Sequence, residues 1–292
     1  MAASRKAETV QRIAIDVKSQ RSKHLVWLWL LLTAVTMTRA SAEDPVAQLL
    51  SRVATNVAEQ QRSIPDFVAN EDVTMQVQEN GRSIHERHIV SEFQAIHGDA
   101  KGRNNEHRKV ISATEDGRPQ SRSEYILPLG VRGGFAEDAS GYFGGTNMGC
   151  FDFEIVRQDQ LRGNSAIVLR MRRKESSLAD LACATARKVD ATAWIDAETN
   201  RIMRLEAAPR NERDFTGPFS RGNGTYTYAP VTEYGEVQIA DRSYWVPIEK
   251  RVDFVKGNGK VTYKYVVRYS QFHKFVSTAK IVDAGDAGDV GK

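Results

Sequence analysis

Between Pro45 and Arg62 the apolar residues recur at helical spacing. Val46, Leu49, Leu50, Val53 and Val57 form one stripe, and the opposite face is polar. Asp44 stands at the cap position, Pro45 opens the first turn, and Pro65 closes the run. The stripe predicts one long helix packed on a core; a helix offered to a partner would carry the same pattern. From Phe67 the period changes to two. "EDVTMQVQENGRSIHERHIVSEFQAI" alternates on either side of Asn80-Gly81, a strong hairpin signal, and "HRKVISATEDGRP" adds a strand closing at Asp116-Gly117. The alternation lapses over 128–150, "PLGVRGGFAEDASGYFGGTNMGC", where glycines and the lack of a long apolar period predict a long loop or mobile flap. Strands resume at "FDFEIVRQDQLRGNSAIVLRMRRK", with a turn at Arg162-Gly163-Asn164. A hairpin over 189–207 follows, then "TEYGEVQIA", "SYWVPIEKRVDFVK" and "KVTYKYVVRYSQFHKF". The expected fold is mainly β (α+β): about ten antiparallel strands and one long N-terminal helix in a single domain over 43–282. The tail 283–292 is too small and polar to pack, and disorder is expected there.

The N-terminus changes the charge argument. Lys23 and His24 precede the apolar run Leu25–Met37, and Ala40-Ser41-Ala42 supplies a small-x-small site. Residues 1–42 therefore read as a secretory signal peptide with a long n-region, cleaved after Ala42; an uncleaved anchor is the competing reading. No cysteine follows the run, which argues against lipid attachment. The whole chain carries a net charge of +4, but residues 1–42 hold seven of its Lys/Arg and only two acids, so residues 43–292 carry −1. Without an excess of phosphate-binding charge, nucleic acid is not an expected partner. The only cysteines are Cys150 and Cys183. In an exported chain two cysteines are expected to pair, and closing a loop of about 34 residues contributes about 3–4 kcal/mol in the chain-entropy model.

The stretch "TAWIDAETNRIMRLEA" (192–207) gathers Asp196, Glu198 and Glu206 around Trp194 and two arginines. A paired-carboxylate hydrolase needs its acids facing one cleft. Here "DAETN" is turn composition, so Asp196 and Glu198 are expected at a solvated hairpin tip, with Asp196 bonding local backbone. His85, His88, His97 and His107 lie close in sequence, but "HERH" falls on a strand, where positions three apart face opposite sides. No nucleophile elbow, phosphate loop or dinucleotide fingerprint is present. No catalytic residue, metal ligand or cofactor is expected.

The same stretch carries a resemblance. A hydrophobic strand, then "WIDAETNRIMRLE", then a later strand containing "YWVP" is similar to the periplasmic outer-membrane lipoprotein carrier (Lol-like) superfamily, over roughly residues 151–275. The run "EYGEVQIADRSYWVPIEKRVDF" through "YSQFHKF" resembles uncharacterised secreted bacterial proteins of that fold. The resemblance implies a curved antiparallel sheet, an unclosed half-barrel, packed on helices, whose concave apolar face holds an acyl chain. Aromatic residues crowd the last third of the chain, and Trp194, Tyr234, Trp245, Tyr265 and Tyr269 are the candidate ligand-facing set. Plain sheet packing accounts for the same residues. The leading expectation is a secreted or periplasmic, non-catalytic binder of a lipid, acyl chain or other hydrophobic ligand. The alternatives are an envelope interaction or structural protein, with a protein partner and a concave face filled by its own helix, and a hydrolase with an unrecognised site.

Overall fold

The computed structural model describes residues 44–96, 105–121, 135, 137–178, 181–213 and 225–275. The expected signal peptide and its expected cleavage site, His97 and the tail lie outside the described residues, as does most of 128–136. The chain divides into two compact units, Met1–Ala47 and Gln48–Lys292. In the first, the Asp44 carboxylate accepts the Val46 N–H at 3.0 Å, the cap expected from sequence.

The long helix is α1 (Pro45–Ser63), and within the second unit it buries Leu49, Val53 and Val57. The strands are β1 (Phe67–Glu79), β2 (Arg82–Ile96), β3 (Asn105–Glu115), β4 (Arg118–Pro119), β5 (Phe151–Leu161), β6 (Asn164–Arg173), β7 (Ala191–Asp196), β8 (Ile202–Ala207), β9 (Arg210–Arg213), β10 (Thr225–Ile239), β11 (Arg242–Lys256) and β12 (Val261–Lys274). They form one antiparallel sheet in the order β4-β3-β2-β1-β12-β11-β10-β8-β7-β6-β5, with β9 on β10. Its edge strands β4 and β5 do not pair, so the sheet is not closed.

The tight turns follow from backbone sterics. Asn80 and Gly81 have φ of 52° and 80°, Asp116 and Gly117 have 49° and 75°, and Arg162 and Gly163 have 53° and 83°. Two successive left-handed residues match the twist of a two-residue hairpin, and Gly takes that conformation without a Cβ clash. Arg162 is held there from outside: its Nη2 donates to the carbonyls of Met203 (3.1 Å) and Tyr234 (2.6 Å).

Residues 137–150 depart from the expected loop. They form helix α2 (Glu137–Phe143) and a 3-10 turn (Gly145–Cys150). Burial of Ala139, Tyr142 and Phe143 overrides the weak helix propensity of the glycines. Gly141 leaves room for Arg187: a Cβ there would sit 2.6 Å from its Cγ, so a larger residue would have to displace that side chain. Cys150 and Cys183 form the expected disulfide, with Cα atoms 5.9 Å apart, and both are buried.

Two apolar clusters fill the second unit. The first draws on β1, β2, β10, β11 and β12, with Ile64, Ala113 and Phe135. The second packs Leu49, Val53 and Val57 of α1 against α2, the disulfide, β5 to β8 and Tyr234.

Candidate functional site

The first cluster is dominated by aromatic rings. On β1 the alternate residues Phe67, Ala69, Glu71, Val73, Met75 and Val77 are all buried, so one face of the strand turns into the first cluster. Tyr228 stacks on Phe254 (4.8 Å between centroids), and Phe254 meets Tyr265 edge-on at 5.7 Å. Tyr226 reaches Tyr263 at 5.8 Å although β11 separates their strands. Phe135 joins Phe67 at 5.0 Å and Tyr269 at 4.9 Å. Such pairs contribute about 0.5–1.5 kcal/mol each beyond their buried area. Burial, and then the neighbouring Tyr226, push the Tyr263 hydroxyl up to about 12. Burial, and then Tyr263, raise Tyr265 as well.

One carboxylate is set into this aromatic surface. Glu71 is fully buried, and register places Ser91 and Tyr269 on either side of it. Both its oxygens accept from Arg108 Nε at 3.0 Å, and Ser91 donates to Oε2 at 3.0 Å. Arg108 lies opposite Phe93 in register, with Cζ 4.6 Å from the ring centroid. The buried charge is thus paired and hydrogen-bonded, as burial demands.

The second cluster holds a charge hub that sequence reading missed. Asp138 on α2 pairs with Arg187 through Oδ1, while Oδ2 accepts from Lys250 Nζ at 3.1 Å and Thr232 at 3.2 Å. Lys250 is 5% exposed. Burial works against ionising Asp138, but Lys250 and Arg187 outweigh it and hold the carboxyl below its usual value. Burial, and then the Asp138 charge, push the Tyr234 hydroxyl well up.

The five candidate aromatics are not gathered at one place. Tyr265 and Tyr269 are in the first cluster. Tyr234 is in the second, with Trp245 packed against it. Trp245 donates Nε1–H to the Ile202 carbonyl at 2.7 Å and lies under Arg201. Trp194 alternates with the buried Ala193 and Ile195, so it faces the other side of β7, where its Nε1 donates to Asp159 at 3.2 Å and Arg204 covers its ring. Asp196 is buried, not solvated as expected. The hairpin turn folds over it, and Oδ1 accepts the N–H groups of Glu198 (3.0 Å) and Thr199 (2.7 Å) and the Thr199 hydroxyl (3.0 Å). Its role as the pin of a turn stands, and Glu198 is exposed. His85 and His88 bond to separate carboxylates, Asp116 at 3.0 Å and Asp72 at 2.8 Å. Among the described residues no group of three or more metal-ligating side chains is assembled.

Solved structures give partial likenesses. A DUF1329 family protein from Desulfovibrio piger overlaps 80% of this chain and 95% of its own at 11% identity, with a TM-score of 0.43. A LolA superfamily protein from Nitrosomonas europaea overlaps 80% and 94% at 13% identity, with a TM-score of 0.31. The Mycobacterium tuberculosis lipoprotein LppX overlaps 79% and 98% at 10% identity, with a TM-score of 0.26. No protein-family model matches the chain, and no curated protein matches it in sequence. The functional reading therefore rests on the chain's own geometry.

Proposed function

We propose that this is a non-catalytic binding protein of the periplasm or extracellular space, reached through the signal sequence in residues 1–42, whose aromatic sheet face takes a lipid or acyl chain. The observation that carries the reading is the first cluster. Its rings come from five long strands and Phe135, and among the described residues no helical residue belongs to it. A sheet of tyrosines and phenylalanines offers a chain apolar contact worth about 0.8 kcal/mol per buried CH2 before ordering costs. Tyr265 and Tyr269 are the ligand-facing members of the candidate set on this reading. Tyr234 and Trp245 border it from the second cluster, and Trp194 serves the opposite face.

A second reading has its own observation. Leu49, Val53 and Val57 of α1 fill the second cluster, as they would in an envelope protein that occupies its own sheet and binds a protein partner. Displacement of a fluorescent fatty acid by unlabelled long-chain amphiphiles separates the two. Saturable binding by folded protein is expected, weakened by Tyr269→Ala. No saturable binding below the amphiphile's aggregation limit, with the fold confirmed by circular dichroism, favours the envelope partner reading. Val53→Ala should lower stability by roughly 1–3 kcal/mol on either reading, and lowers amphiphile affinity only if α1 borders the ligand.

A further inference from the structure

A cavity of about 230 Å³ lies between the C-terminal half of α1, the start of β8 and the start of β11. It sits where the two apolar clusters meet: Val57, Ile202 and Trp245 belong to the second and Ile64 to the first. Its polar lining is divided in a telling way. Asn56 is spent on the carbonyls of Thr199 and Asn200, Ser63 on the Gln60 carbonyl, Ser243 on Gln238, and the Trp245 indole N–H on Ile202. What remains is led by donors, two guanidinium groups and the Gln60 amide N–H, beside the Gln60 Oε1, the Tyr244 hydroxyl and Glu59. Among the described residues the buried Gln60 Nε2 has no acceptor, against the usual rule that such a group is satisfied. Arg201 lies over the Trp245 ring, its Cζ 5.6 Å from the centroid, and Arg242 stands at the rim; neither has a carboxylate partner among the described residues. The one acid in the lining is Glu59, which is exposed.

We propose that this cavity is a binding site for the carboxylate end of a small organic acid or short acyl chain. Two guanidinium groups against one carboxylate leave a single excess positive charge, which suits a monoanion. The fork of an arginine matches a carboxylate bidentately, and the buried amide of Gln60 supplies a third donor. The Trp245 ring, Val57, Ile64 and Ile202 give the attached hydrocarbon an apolar wall. The volume is below the 300–1,000 Å³ that encloses a drug-sized ligand, so the guest is small or only its head enters. The site stands on its own lining and does not require acyl binding by the aromatic face.

The test uses the full chain labelled with 15N-tryptophan, which has four indole N–H signals. Trp245 is assigned with W245F, and Trp194 serves as the internal control. Octanoate should shift the Trp245 signal saturably and leave Trp194 unmoved. Acetate and the neutral octyl glucoside should each bind at least about tenfold more weakly, since a charge-assisted hydrogen bond and the apolar wall are both needed. Arg242→Gln breaks no ion pair or side-chain hydrogen bond made among the described residues and should weaken octanoate about fivefold or more; Gln60→Leu should weaken it without loss of stability. Equal affinity for octyl glucoside, wild-type affinity in both R242Q and R201Q, or no Trp245 shift up to the solubility of octanoate each overturns the proposal. Failure of long-chain displacement alongside a Trp245 shift would count against the aromatic-face reading alone.

Discussion

Asp138→Ala is the perturbation with the most calculable effect. The carboxylate it removes neutralises Lys250, whose side chain is only 7% exposed, and its other ion-pair partner, Arg187, is 40% exposed. Deleting one partner of a buried pair costs about 3–5 kcal/mol, because the remaining charge stays buried without compensation. Arg187 can turn to solvent and adds little, and Asp138 itself is 25% exposed, so the expected loss is near the lower end, about 3 kcal/mol. Lys250→Met keeps the length of the side chain without its charge. Asp138 then retains Arg187 and Thr232, and the loss should be about 1 kcal/mol. In the double variant no unpaired ammonium remains, so its loss should fall short of the two single losses together by about 2 kcal/mol. Urea unfolding followed by circular dichroism, at unchanged m, reads all three. The acid limb supplies a second check. The folded Asp138 carboxyl is held below its ordinary value, so its contribution is complete above pH 3.8 and is lost as pH falls through the folded value. The stability gap between wild type and D138A should therefore be flat near neutrality and narrow only in strong acid. A cost below about 1 kcal/mol for D138A, or strict additivity with K250M, would refute the argument that the pair is buried and coupled.

Replacing both Cys150 and Cys183 with alanine should lower stability by about 3–4 kcal/mol at a sequence separation of 33, and unmodified protein should show no free thiol when denatured without reductant. Two free thiols per chain, or an unchanged urea midpoint in the double variant, would contradict it. The raised tyrosine hydroxyls act at the alkaline end. Burial keeps Tyr263 protonated to about 12, so stability is complete below pH 10 and falls as pH rises toward 12. Absorbance titration of wild type against Tyr263→Phe should show one ionisation near 12 missing from the variant; a loss near 10 would mean the ring is solvated.

What was legible in the sequence was local. Asn80-Gly81, Asp116-Gly117 and Arg162-Gly163 announce hairpins because two successive left-handed residues are needed there and glycine supplies the second. The stripe from Leu49 to Val57 announces α1 for the same kind of reason: the period is written in adjacent turns. The pairing of β1 with β12, which joins Phe67 to Lys274, has no local signal; it is selected by burying the faces that meet. The misread segment at 137–150 shows the limit from the other side. Ala139, Tyr142 and Phe143 are at helical spacing, but the glycines around them outweigh that short pattern until Arg187 and the disulfide are known to pack there.

The charge hub was hidden by a single extra residue. On β11, Trp245, Pro247 and Glu249 alternate in one phase, and carrying that phase forward puts Lys250 on the opposite side from Trp245. The register shifts, however, between Glu233 and Tyr234 of β10, which face Glu249 and Pro247, so Ile248 has no partner across the ladder. One unpaired residue reverses the alternation. After it, Lys250 lies across from Thr232 and turns inward with Val252 and Phe254, while Glu249 and Arg251 turn outward to pair with Arg268 and Glu233. The bulge thus delivers an ammonium to the only side of the strand where Asp138 of α2 can meet it. It also leaves Trp245 beside the Tyr234 cluster, against α1 and the small cavity. The ion pair that holds α2 to the sheet and the indole that walls the cavity are two consequences of the same inserted residue, which is why neither could be read from period alone.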